Sequence, residues 1–115
     1  MELRTLLVLA DSAAFLVYGV HCLRSASMRI EFERYGLAHL RVVTGVLEVL
    51  AGIGLIVGLW WPLALRVSSA GLALLMLCAL VARIRVRDAV PLWVPALALL
   101  LVNAWILLGS LRVLG

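Results

Sequence analysis

Four apolar runs, 3–23, 40–60, 64–83 and 91–111, take up most of a 115-residue chain. Each comes close to the roughly 20 residues that cross a hydrocarbon core of about 30 Å. With 66% of its residues hydrophobic, a water-soluble fold of this length has too little interior to hide them. The expectation is a single all-α domain, an integral membrane four-helix bundle of up-down topology whose first partner is the lipid bilayer.

The connections are unequal. Arg24 to His39 forms a long polar loop, Trp61 to Leu63 a tight turn at Pro62, and Ile84 to Val90 a short basic loop. Pro91 and Pro95 are expected in the first turn of the fourth helix, where a missing amide proton does least harm. The net charge of +4 comes from ten arginines and no lysine, which in a membrane chain is read for orientation before nucleic acid. Arg24, Arg29, Arg34, Arg41, Arg83, Arg85 and Arg87 fall at the first and third connections, against Arg4, Arg66 and Arg112 at the other end. This asymmetry predicts that connections 24–39 and 84–90 are cytoplasmic and both termini outside, in a bacterial inner membrane. Trp60, Trp61 and Trp93 lie near span ends, as interfacial rings do, while Trp105 lies deeper. The first run reads as a span rather than a cleaved leader, because Asp11 interrupts it and its length exceeds the usual 7–15 residues.

Glu48 is the residue that asks for an explanation. A carboxylate at the centre of a membrane helix costs roughly 2.5 kcal/mol or more unless it is compensated. Arg41, Gly45, Glu48 and Gly52 are spaced by four, three and four residues, so they share one helix face. Gly54 and Gly58 form a second small pair suited to close helix approach. Helical side chains lean toward the N-terminus, which aims Glu48 at Arg41, about 10 Å away along the axis. An Arg41–Glu48 ion pair and a ligand, proton or partner site at Glu48 are the two readings. With the termini outside, Asp11 and Asn103 each lie eight residues from the outer end of their helices, at a shared depth of about 12 Å, with Glu48 about 6 Å deeper. Three helices then contribute to one polar middle layer, in which Asn103 donates to Asp11 or accepts from it. His39, Arg41 and Tyr35 are candidates for the mouth of a cavity under Glu48.

The remaining chemistry is sparse. Cys22 and Cys78 lack redox or zinc spacing and read as packing residues. His21 and His39 with distant carboxylates make no metal signature, and phosphate-loop, nucleophile-elbow and HExxH motifs are absent. No cofactor, metal, catalytic residue or nucleic-acid partner is expected. Ser68 and Ser69 read as satisfying the third helix or facing a neighbour. The segment from Met28 to Arg41 interleaves apolar and charged residues and is expected to rest at the membrane interface, with Glu31, Glu33 and Arg34 as a solvated face.

These residues resemble the DoxX-like family of small four-span membrane proteins. The resemblance rests on Phe32, Tyr35-Gly36-Leu37, Arg41, Gly45, Glu48 and Gly52, then Gly58-Leu59, Trp61-Pro62 and the LALLML stretch of the third helix. It implies an up-down membrane bundle, with relatives that include a chaperone of nicotinic acetylcholine receptor assembly and subunits associated with thiosulfate:quinone oxidoreduction. The reading adopted is a noncatalytic membrane accessory protein that binds a partner helix or a small lipophilic ligand at a polar cavity centred on Glu48. A subunit of a quinone-linked redox complex and a proton-coupled small transporter are the alternatives.

Overall fold

The computed structural model describes residues 3–114, with side chains described through Ser110. The described chain is helical and without strands: α1 (Leu3–Arg24), α2 (Ala26–Arg34), a 3-10 turn (Ala38–Leu40), α3 (Arg41–Val57), α4 (Pro62–Arg85) and α5 (Val90–Leu114). Among the described residues four segments are long and apolar enough to cross a membrane: Leu3–Arg24, Ala38–Val57, Pro62–Arg85 and Val90–Ser110. The longest dimension, 41 Å, matches a bilayer with its interfacial zones, about 40–45 Å. α1 packs chiefly on α3 and α4 chiefly on α5, while α3 and α4 join the two pairs and α1 touches α5 more lightly. This is an up-down four-helix bundle. Arg112, counted above with the terminal arginines, has its side chain outside the described residues.

The interior is small. Val8, Phe15, Leu55, Leu65, Leu72, Met76, Ala96 and Ile106 make one apolar cluster drawn from all four long helices. Many large apolar side chains point outward instead, among them Val17, Leu50, Val67, Leu74, Leu101 and Leu108, each more than half exposed. Such a surface is stable only against lipid tails, where helices also satisfy their own backbone groups.

The first connection is not the loop expected from its polarity. Ser25 alone interrupts the helix, its extended backbone ending α1 and its hydroxyl accepting from the Ser27 amide as the N-cap of α2. α2 ends in a Schellman motif: Gly36 holds φ +74, its amide donates to Glu33 O, and the Leu37 amide donates to Phe32 O. α4 ends the same way, with Arg87 at φ 60, its amide on Ile84 O and the Asp88 amide on Arg83 O. Here no glycine relieves the left-handed backbone, which costs about 1–2 kcal/mol. Pro62 opens α4 at its first turn, as its fixed φ allows. Pro91 also lies in the first turn of α5, but Pro95 does not: α5 begins at Val90, so Pro95 sits in the helix interior. Its missing amide leaves the Pro91 carbonyl without the usual helical donor.

Candidate functional site

Glu48 faces the seam between α1 and α3. The neighbouring face residues set how close the helices come: a Cβ at Gly45 would lie 2.7 Å from Leu23 Cγ and 3.1 Å from Gly19 O, and one at Gly52 would lie 3.0 Å from Leu16 Cγ. Gly19 on α1 reciprocates, since a Cβ there would meet Gly45 O at 2.9 Å. The Ser12 hydroxyl crosses the seam to donate to Gly52 O at 2.6 Å. Glu48 is therefore clamped between two points of near-backbone contact and is only 7% exposed. Its Oε2 has no hydrogen-bond partner, and Glu48 takes part in no ion pair among the described residues. The second glycine pair packs against α4: a Cβ at Gly54 would collide with Ser68 Oγ, and one at Gly58 would lie 2.7 Å from the Leu65 backbone.

Arg41 does not answer Glu48. Its Nη1 donates to the carbonyls of Cys22 and Leu23, both at 2.9 Å, while Cys22 Sγ donates to Arg41 O at 3.4 Å. The last turn of α1 presents carbonyls that no helical amide can reach, and a cation there also meets the negative end of the helix dipole. These acceptors hold the guanidinium, so of the two readings of Glu48 the ion pair with Arg41 is not formed, and Arg41 serves as a helix cap in trans.

Asp11 and Asn103 do meet. Asn103 Nδ2 donates to Asp11 Oδ1 at 3.2 Å and to Leu99 O at 2.8 Å, with the two residues 3% and 0% exposed. Asp11 Oδ2 and Asn103 Oδ1 are left without partners. This pair ties α1 to α5, whereas Glu48 belongs to the α1–α3 seam.

Tyr35 and His39 are placed elsewhere. His39 is exposed on the 3-10 turn, and Tyr35 belongs to a charged network at the end of the bundle where the first and third connections meet. Arg34 grips Asp88 with both arms, Nη1 to Oδ1 at 2.7 Å and Nη2 to Oδ2 at 3.1 Å, and donates to Glu31 Oε2 at 2.8 Å. Arg83 reaches Asp88 Oδ2 at 3.1 Å and Glu31 Oε2 at 3.6 Å. The Tyr35 hydroxyl donates to Glu31 Oε2 at 3.1 Å, and Arg34 and Arg83 lie 5.1 and 5.7 Å from its ring centroid. The Arg34 hydrogen bonds hold the Glu31 and Asp88 carboxyls below their ordinary range, and the same carboxylates raise the Arg34 guanidinium. Burial is the largest influence on the Tyr35 phenol, which is pushed up to about 12. Glu31 is thus tied to Arg83 of α4, and Arg34 to Asp88 of the connection that follows it, rather than the two forming a freely solvated face.

Several of these partners carried little signal in sequence. Ser12, Gly19 and Cys22 repeat at seven and three residues, a small-residue face on α1 that periodicity alone exposes. Arg83 and Asp88 had none, being ordinary charges in a basic connection. Among the described residues no group of three or more His, Cys, Asp or Glu is placed to hold a metal ion. What the interior offers is hydrogen-bonding capacity: acceptor oxygens at Glu48, Asp11 and Asn103, buried between the helices.

No curated protein and no solved structure matches the chain. A family model described as the DoxX-like family matches residues 5–106, from the start of α1 to Ile106 in α5, and the chain belongs to that family.

Proposed function

We propose that this protein is a noncatalytic accessory protein of a bacterial inner membrane, and that Glu48 is its recognition residue for a small lipophilic ligand carrying a hydrogen-bond donor. The observation that carries this reading is the unpartnered Glu48 Oε2 between Gly45 and Gly52. A buried acceptor with no donor costs about 1–3 kcal/mol, more when charged, and a group retained at that cost is a functional candidate by default in a membrane span. The small-residue seam around it is already filled by Leu16, Gly19 and Leu23 of α1. That favours a slim donor from a small molecule over the helix of a partner protein. The arginine asymmetry supports an orientation with the connections 24–39 and 84–90 in the cytoplasm and the termini outside.

The test is native mass spectrometry of protein released from nanodiscs, comparing wild type with Glu48→Gln. The expected result is a small-molecule adduct on wild type that the variant loses while its melting temperature is kept. Identical adducts on both proteins overturn the proposal.

A further inference from the structure

The outward face of α1 carries an open trough of about 590 Å³ lined by Leu16, Val17, Val20, His21, Arg24 and Ser25. From Leu16 to Arg24 it follows the helix for about 12 Å. One end is apolar and faces lipid, with Val17 66% and Val20 46% exposed. The other end is His21, Arg24 and Ser25, at the corner where α1 gives way to α2, the end of the span. Among the described residues no carboxylate lines it.

A helix C-terminus ordinarily repels an anion, because its free carbonyls carry partial negative charge. Here three of those carbonyls are spoken for: Arg41 donates to Cys22 O and Leu23 O, and the Ser25 amide donates to His21 O. Arg24 and His21 are themselves exposed and enter none of the ion pairs of the connection face. The corner therefore offers a cation and an imidazole at headgroup depth, directly above an apolar channel.

We propose that this trough seats one anionic glycerophospholipid of the surrounding bilayer, with an acyl chain along Leu16, Val17 and Val20 and the phosphate accepting from Arg24 and His21. A zwitterionic lipid offers the same chain and phosphate, but its own cation offsets the attraction, so selection rests on net charge. The site is separate from Glu48, which faces the α1–α3 seam, and either stands without the other.

The full-length protein is released from nanodiscs of equal phosphatidylglycerol and phosphatidylcholine, and retained lipid is counted by native mass spectrometry. Wild type is expected to keep one phosphatidylglycerol in preference to phosphatidylcholine. The double variant His21→Ala/Arg24→Gln lowers that preference about fivefold or more, the worth of one juxtamembrane arginine. Val20→Trp fills the channel from the lipid side and removes the bound lipid with both polar residues in place; it decides the matter should the double variant fail to fold. Arg85→Gln, a change of charge on the same face outside the trough, leaves the preference at the wild-type value. Wild type without preference, a double variant equal to wild type, Val20→Trp with its lipid retained, or Arg85→Gln as damaging as the double variant each overturns the proposal.

Discussion

The Asp11–Asn103 hydrogen bond joins two helices that otherwise touch lightly, and its worth is set by competition within the membrane rather than with water. Interhelical polar pairs of this kind average about 0.6 kcal/mol in double-mutant cycles, with a maximum near 1.7. A cycle of Asp11→Ala, Asn103→Ala and the double variant, read by reversible unfolding in detergent, is expected to give a coupling within that range; a coupling of zero removes the bond from the energetics of the fold. The meeting was legible in sequence because helical rise converts residue number into depth. The same arithmetic left a pair with Glu48 open for Arg41, since it considered neighbours on one helix and took no account of the open carbonyls at the end of α1. Glu48 was legible as an oddity, whereas the near-backbone contact that encloses it depends on Gly19, whose place on a small-residue face periodicity shows but whose partner on α3 it does not.

At the level of elements, two glycines, Gly58 at the cap of α3 and Gly71 inside α4, make opposite predictions. A Cβ at Gly58 would lie 2.7 Å from Leu65 Cα and 2.8 Å from Leu65 N. Backbone cannot step aside as a side-chain tip can, so Gly58→Ala is expected to lower stability by about 1–3 kcal/mol, as overpacking does. Gly71, inside α4, has nothing within 4 Å of the same atom, and Gly71→Ala is expected to raise stability by roughly 0.5–1 kcal/mol through helix propensity alone. Melting temperatures of the two variants check the contrast; equal shifts would show that contact at Gly58 does not govern the α3–α4 turn. The long helices were readable from their apolar lengths. α2 was not, because nine residues with a weak apolar stripe look like a polar loop until Ser25 caps one end and Gly36 turns the other. Pro95 was misplaced for a related reason: proline marks the first turn only when the helix start is known.

Across the whole molecule, the connection face closes the bundle by tying α2 to α4 through Arg34, Glu31, Asp88 and Arg83. Glu31 and Asp88 hold their protons less tightly folded than unfolded, so the stability they contribute is complete above the ordinary carboxylate range, about pH 4, and is lost as pH falls through their depressed folded values. The expected observation is a melting temperature that declines in acid for wild type and declines less for Arg34→Gln; matching acid profiles would show that Arg34 is not what holds these carboxyls down. The division of the bundle into the pairs α1–α3 and α4–α5 also orders its birth. Ser12 finds Gly52, and Arg41 finds the end of α1, within a hairpin that is synthesised before α4 and α5. Asp11 must wait for a partner 92 residues downstream, so it is the last of these groups to be satisfied, and the growing chain carries an unmet carboxyl until α5 arrives.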